Sequence, residues 1–173
     1  MKKRSKKIQY KGIRAVKETS AGVIAFLIRD KKIHVLLLVR NNAFLGIDDK
    51  EVRIDIGPKG HVEKGESIVH AASRETREEI GIPLHIDTHF KETINYSFTV
   101  FDKKTQKQEK ISKKVVFFLA FMNRKDAKRI ALSEEHIRYY IVPVDEAMEK
   151  IVFQNQKDVI EKAREYISVH YLT

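Results

Sequence analysis

Two apolar runs, "SAGVIAFLIR" (20–29) and "IHVLLLV" (33–39), open the patterned part of the chain. Both are rich in β-branched residues and nearly free of polar positions, as strands buried on both faces are. Asp30-Lys31-Lys32 between them predicts a hairpin turn. The polar stretch "NNAFLGIDDKE" (41–51) predicts a loop, Val52 to Ile56 alternates as a short strand, and Gly57-Pro58 ends it. Ser67 to Ile80 carries a helical pattern, with Gly81 just past its end and Pro83 blocking any extension. Beyond it, "HFKETINYSFTVF" (89–101) and "KKVVFFLAFM" (113–122) pattern as strands, joined by polar "DKKTQKQEK" (102–110) as a hairpin with a flexible tip. "YYIVPV" (139–144) is a further short strand, and "DEAMEKI" and "QKDVIEKAREYISVHYL" are closing helices. Helices punctuating hairpin-connected strands predict one α/β domain, a mixed sheet with helices on its faces.

Composition narrows this picture. A chain of 173 residues, 42% hydrophobic, has the length for one compact domain with a real core. The absence of cysteine excludes disulfides and thiolate metal sites and fits a reducing, cytoplasmic setting. Neither apolar run is long enough to span a bilayer. A basic start followed by "AGVIAFLI" has the outline of a signal peptide, but "RDKK" follows where a small-residue cleavage site belongs, so a strand is expected. The net charge of +10 is concentrated at the start: residues 1–17 hold eight Lys or Arg and no acid, leaving 26 basic against 24 acidic residues. Residues 1–17 are therefore expected to form a tail ahead of a domain spanning 18–173. The tail is either a solubilising segment or a weak contact for RNA or another polyanion.

The candidate chemistry lies in "GHVEKGESIVHAASRETREEIGI" (60–82). At about 100° per helical residue, Glu75, Glu78 and Glu79 share an arc of about 100°. Like charges so spaced repel. A solvated acidic face is the ordinary reading, with Arg74 and Arg77 offsetting part of the cost. The other is a platform for a hard divalent cation such as Mg²⁺, which takes oxygen ligands. Glu66 adds a carboxylate just before the helix, and a glycine at Gly60 lets its carbonyl approach a metal. Ala71 and Ala72 are expected to leave the neighbouring helix surface clear. Lys59 and His61 supply cationic or donor groups nearby. Carboxylates, metal and cations together make a polyphosphate site.

This segment resembles the Nudix box, G-x5-E-x7-R-E-U-x-E-E-x-G-U with U aliphatic. Gly60, Glu66, Arg74, Glu75, Glu78, Glu79, Gly81 and Ile82 all stand at the required spacing, and Thr76 at the first U is the one departure. The resemblance implies an α/β/α sandwich around a mixed sheet. It also implies Mg²⁺- or Mn²⁺-dependent hydrolysis of a nucleoside diphosphate linked to another group.

The flanks resemble the diadenosine tetraphosphate hydrolase branch of that family: "PKGHVEKGE" opening the box, "ETSAGVIAF" before it, then "INYSF", "KKVVFFLA" and "SEEHIRYYIVPVDEA". Together they cover roughly residues 17 to 160. That likeness implies metals held by Glu75, Glu78 and Glu79, with Glu66 and the Gly60 carbonyl in the same set. Glu75 is implied as the base that activates water, and Glu135 as a further ligand or the base instead. Lys59 and His61 would meet phosphate oxygens, and Tyr96 and Tyr139 would clasp an adenine. Each tyrosine has a packing role as its alternative, and Tyr140 competes with Tyr139. Two features depart from the branch: no tryptophan precedes Pro-Lys-Gly, and Gly57 stands where an apolar residue is common. The loop 41–51 is expected to border the site, and the histidines of "HIDTH", His85 and His89, to lie on the surface.

The expected activity is hydrolysis of dinucleoside polyphosphates. The rivals are an RNA 5′-end pyrophosphohydrolase, an ADP-ribose or nucleotide-sugar pyrophosphatase, and a non-catalytic RNA-binding module. The intact glutamates speak against the last, since a pure binder has no use for their repulsion.

Overall fold

The two apolar runs form a hairpin, β1 (Arg14–Arg29) and β2 (Lys32–Arg40), paired from Phe26↔Val35 to Arg29↔Lys32. Asp30 and Lys31 both have positive φ, 51° and 58°, as a two-residue turn matching the strand twist requires; Lys32 belongs to the strand. The computed structural model describes residues 14–44, 46, 51–102 and 107–172. Most of the basic tail, part of the 41–51 loop and the 103–106 tip lie outside them.

The remaining elements are β3 (Ile54–Asp55), β4 (Lys59–His61), α1 (Ile68–Ile80), β5 (His85–Asp102), β6 (Lys107–Phe121), α2 (Arg124–Ala127), β7 (His136–Pro143), α3 (Val144–Lys150) and α4 (Gln154–His170). The described strands form one seven-stranded sheet in the order β3-β2-β1-β6-β5, with β4 added on β1 and β7 on β2. Only β1–β6 among these pairs is parallel. Helix α1 packs on one face, where Ala71, Ala72 and Ile80 meet Val23, Leu38 and Phe118. Helices α3 and α4 pack on the other, where Ala147, Ile160 and Ala163 meet Ile24, Leu37 and Phe117. The expected α/β/α sandwich is the observed fold, and its two covered faces explain why the central strands are apolar at nearly every position.

Several boundaries differ from the sequence pattern. Strand β1 begins at Arg14, not Ser20, because Arg14 to Thr19 pair with Glu109 to Lys114 of β6. The last four residues of the expected tail are thus strand. β3 is shorter than expected, and β4 was not expected: after Pro58 the chain drops back onto β1 at Ser20–Gly22. Gly57 has φ 148°, and a Cβ there would drive into the Val23 carbonyl oxygen, so the close approach of these strands demands glycine. Ala71 and Ala72 do not clear a surface. Both are fully buried, and their small side chains bring α1 down onto the sheet. Thr76 fits the aliphatic position by donating its hydroxyl to the Ala72 carbonyl, 2.6 Å away. His85 and His89 are exposed on β5.

Candidate active site

Helix α1 starts at Ser67, whose hydroxyl accepts the His70 N–H at 3.2 Å, and ends at Gly81 in the left-handed conformation, φ 73°. Between these caps the three glutamates receive different surroundings. Glu79 is buried (4% exposed) and accepts the Lys59 main-chain N–H at 3.1 Å. Glu75 is partly buried and lies directly over Gly60, where a Cβ would collide with its carboxylate. Glu78 is exposed.

Arg74 gathers the acids. Its Nη1 lies 2.7 Å from Glu75 Oε1 and 2.9 Å from Glu78 Oε2. Its Nε and Nη2 each reach a Glu66 oxygen at 3.0 Å, and Nη2 also donates to the His61 carbonyl at 2.8 Å. Glu66 further accepts the Glu63 N–H at 3.0 Å and pairs with His70 Nδ1 at 2.8 Å. Arg74, then the Glu63 N–H, hold its carboxyl down at about 2. Glu66 therefore ties the glycine loop to the helix, with both oxygens committed to protein donors.

Burial pushes Glu79 up to about 8, with Asp55 and Glu135 adding to it against Lys59. Burial likewise raises Glu75, helped by Glu78 and Glu135 against Arg74. Glu135 is thus close enough to act on both. The cluster carries more negative charge than Arg74 and Lys59 neutralise, in a shell of hard oxygen donors, and Gly60 leaves a cradle that a Cβ would fill. These features fit a hard divalent cation. Among the described residues no three His, Asp or Glu already stand as a ready ligand set.

A second cluster was not anticipated. Asp55 is 2% exposed and holds Arg40 through two bonds of 2.7 Å and Lys59 Nζ at 3.0 Å. His136 Nε2, also buried, lies between Asp55 Oδ2 (3.7 Å) and Glu79 Oε2 (3.9 Å). Burial alone would push the Asp55 carboxyl up; Lys59, His136 and Arg40 overcome it and hold it well below the ordinary range. His136 follows Glu135 in "SEEHIRYY", the one signal that pointed to it. No local pattern pointed to Arg40 or Asp55.

Lys59 and Asp55 also line a cavity of about 610 Å³ on the α3/α4 face, together with Arg40, Lys113, Tyr96 and Phe153. Tyr96 stacks on Phe98 with centroids 6.0 Å apart. Tyr139 does not join it. It pairs with Leu38, which faces α1, whereas Tyr96 shares the face of Ile94, which faces α4. Tyr140 lies on the α4 side, beneath Lys150 Nζ at 4.9 Å from its ring centroid. His61 is exposed and pairs with Glu18 at 3.0 Å. The 41–51 loop borders the site where described: Asn41 N–H donates to the Glu135 carbonyl at 2.7 Å.

A glycine loop feeding a glutamate helix, in a mixed sheet between helices, is the architecture of a Nudix hydrolase. The chain belongs to the NUDIX domain family, whose family model matches residues 18–163. It is a hydrolase acting on phosphoanhydride bonds, and Nudix hydrolases generally use divalent metal ions. The chain is 34% identical over 113 residues to the asymmetrical bis(5′-nucleosyl)-tetraphosphatases of Sus scrofa and Rattus norvegicus, covering 64% of this chain and 69% of each relative. A solved structure of Caenorhabditis elegans Ap4A hydrolase in a binary complex superimposes with a TM-score of 0.69 at 26% identity, covering 88% of this chain and 98% of that one. The MutT protein of Methanosarcina mazei Go1 shares the fold, with a TM-score of 0.59 at 22% identity. Among the described residues no helix is long and apolar enough to cross a membrane.

Proposed function

We propose that this protein hydrolyses dinucleoside polyphosphates, with diadenosine tetraphosphate cleaved to ATP and AMP, using Mg²⁺ or Mn²⁺. The observation that carries the reading is the 34% identity, over two thirds of their length, to relatives named asymmetrical tetraphosphatases. A cavity lined by both aromatic rings and cations, joined to the carboxylate helix through Lys59, whose main-chain N–H reaches Glu79, supports it. Glu75, Glu78, Glu79 and the Gly60 carbonyl would hold the cation, with Glu135 as a further ligand. The bound cation would neutralise phosphate charge and acidify a water. Glu75 is the base in this reading and Glu135 its alternative. The base takes a proton from water as the water oxygen bonds to the attacked phosphorus. The bridging P–O bond breaks, and its electron pair leaves with the departing phosphate oxygen. Arg74 keeps Glu75 and Glu78 oriented, and Lys59 meets the substrate's phosphates, with His61 at the rim.

A second reading, hydrolysis at the 5′ end of RNA, has one observation behind it. On the α1 side of the β1–β6–β5 extension, the pleat puts Lys17, Lys110 and Lys114 on one exposed face, with Ser97 and Ser112 bonded between strands at 3.2 Å.

The test is a substrate panel with Mg²⁺: dinucleoside polyphosphates, ADP-ribose, triphosphates and 5′-triphosphate RNA. ATP and AMP in equal amounts, at the highest kcat/KM of the panel, are expected. Two ADP per substrate, or faster turnover of ADP-ribose or RNA, would reject the reading. Glu79→Gln keeps an acceptor for the Lys59 N–H, so it should fold while kcat falls by at least about a hundredfold. Full activity in that variant, or in excess chelator, would remove the metal from the account.

A further inference from the structure

Strands β1, β6 and β5 run on beyond the core as a three-stranded ribbon, and the pleat sorts its charges by face. On the α1 side, Lys114 pairs with Thr19, Lys17 with Ser112 and Ala15 with Lys110, so three successive rows carry one lysine each. The rows lie about 7 Å apart along the strands, two residues per step. All three lysines are exposed. The acids of the same stretch, Glu18 and Glu109, alternate with them and point to the other side. There Glu18 already pairs with His61 at 3.0 Å and lies 3.9 Å from Lys113. No carboxylate of β1 or β6 in this stretch therefore shares the lysines' face.

Exposed lysines alone are an ordinary solvated surface. Two further features make this one a track. Phe101, paired with Gln108 one row beyond Lys110, stands on the same face and is 55% exposed. Between the lysine rows the floor is low and polar, with Ser97 and Ser112 bonded at 3.2 Å. At its inner end the face runs into the candidate site. The row after Thr19 and Lys114 holds Ala21, whose partner Gly60 lies beneath the Glu75 carboxylate.

We propose that this face binds single-stranded nucleic acid, with phosphates against Lys17, Lys110 and Lys114 and a base stacked on Phe101. Charge complementarity selects a polyanion, and an aromatic ring on an open sheet selects one whose bases are free to stack. The chain enters β1 from a segment carrying six Lys or Arg and no acid in residues 1–12, which adds to the same attraction. The surface goes beyond dinucleotide hydrolysis and does not depend on it. A strand lying here ends one row from Gly60, which is what the second reading above requires.

The experiment measures fluorescence anisotropy of a labelled single-stranded RNA 12-mer with a 5′-hydroxyl end, so that no cleavable phosphate enters the reading. It compares the full chain with a triple variant, Lys17→Gln, Lys110→Gln and Lys114→Gln, and with Phe101→Ala. A charge-matched control carries Lys125→Gln, Lys128→Gln and Arg129→Gln, at exposed positions on and just after α2. The face triple should raise Kd at least about tenfold at moderate salt. The slope of log Kd against log salt should fall by about two, as expected when three phosphate contacts to a single strand are lost. Phe101→Ala should raise Kd at least about fivefold with the slope unchanged. The control should stay within about threefold of wild type, and kcat/KM for diadenosine tetraphosphate within about threefold in every variant. If the triple is poorly folded, Phe101→Ala and the three single lysine variants decide. Equal weakening by the face triple and the control would reduce the effect to net charge and overturn the surface. Duplex RNA binding as tightly as the single strand, or no RNA binding by wild type, would overturn it too. If the 5′-hydroxyl strand binds as described but 5′-triphosphate RNA is not hydrolysed, the surface stands and the second reading falls.

Discussion

The carboxylate of Glu75 lies over the α-carbon of Gly60, so close that a single methyl group on Gly60 would occupy the space of both its oxygens. The two residues come from different elements, α1 and β4, and meet because Ala71 and Ala72 let the helix settle on the sheet.

Gly60→Ala should therefore act on catalysis more than on folding. The obstacle to the new methyl is the end of a side chain, which can swing away, and the backbone φ at this position does not require glycine. Displacing Glu75 should cost kcat at least about a hundredfold, as for loss of a metal- or water-positioning group, with little change in melting temperature. Near-normal kcat would mean that Glu75 is neither ligand nor base.

The junction of β5 and α4 gives a pH signature away from the site. Tyr171 and Tyr166 donate hydroxyls to Asp87 Oδ2 at 2.8 and 3.2 Å, and the His89 N–H reaches Oδ1 at 2.9 Å. Burial would raise the Asp87 carboxyl, but these donors win and lower it. Its stabilising contribution is present above the unfolded carboxylate pKa and is lost as pH falls through the lower folded value. Tyr171 moves the other way. Burial and then Asp87 push it up to about 12, so its contribution holds below the unfolded tyrosine value and is lost as pH rises through about 12. Melting curves from pH 3 to 11 should show Tyr171→Phe less stable near neutrality and with a shallower acid limb than wild type. Parallel curves would show that this hydroxyl contributes nothing.

Tyr96 and Tyr139 should behave differently. Tyr96 faces the cavity and Tyr139 the opposite side of the sheet. Tyr96→Ala should raise KM, with a loss of roughly 1–3 kcal/mol if the ring stacks on a base, and Tyr96→Phe should be mild. Tyr139→Ala should leave KM near wild type, and Phe153→Ala, at the other wall of the cavity, should raise it. A KM effect at Tyr139 equal to that at Tyr96 would mean the two rings come together when substrate binds.

Local signals explain why one part of the site was legible in the sequence and another was not. The carboxylate helix announces itself within 23 residues: Ser67 starts it, Gly81 and Pro83 stop it, and the glutamate spacing sets its face. The Asp55 cluster has no such signal. Arg40, Asp55, Lys59 and His136 come from β2, β3, β4 and β7, and only the pairing of those strands brings them together. Tyr139 and Tyr140 show the same limit, because adjacent strand residues face opposite ways and register alone decides which lies on the α4 side of the sheet. The start of β1 was hidden because four of the six residues from Arg14 to Thr19 are polar, and their strand structure comes from the β6 ladder.

That ladder changes what truncating the basic segment should do. Eight of the ten excess positive charges lie in residues 1–17, yet Arg14 to Lys17 pair with Glu109 to Ser112. Deleting residues 1–12 removes six of those charges and none of this pairing. It should leave kcat/KM for a dinucleotide within about threefold at moderate salt, where charges beyond about 10 Å are screened. Any RNA binding by the full chain should weaken, and its dependence on salt should flatten, as fewer counterions are released. Deleting residues 1–17 also strips the outer rung of a parallel pairing and exposes Ile111, now 6% exposed beside Val16. Its melting temperature should fall below that of the shorter truncation. Comparing the two variants by melting temperature, kcat/KM and RNA binding over a salt series separates the arm from the strand. If removing residues 1–12 alone abolishes dinucleotide hydrolysis in a folded protein, the basic segment is part of the active site and not an arm.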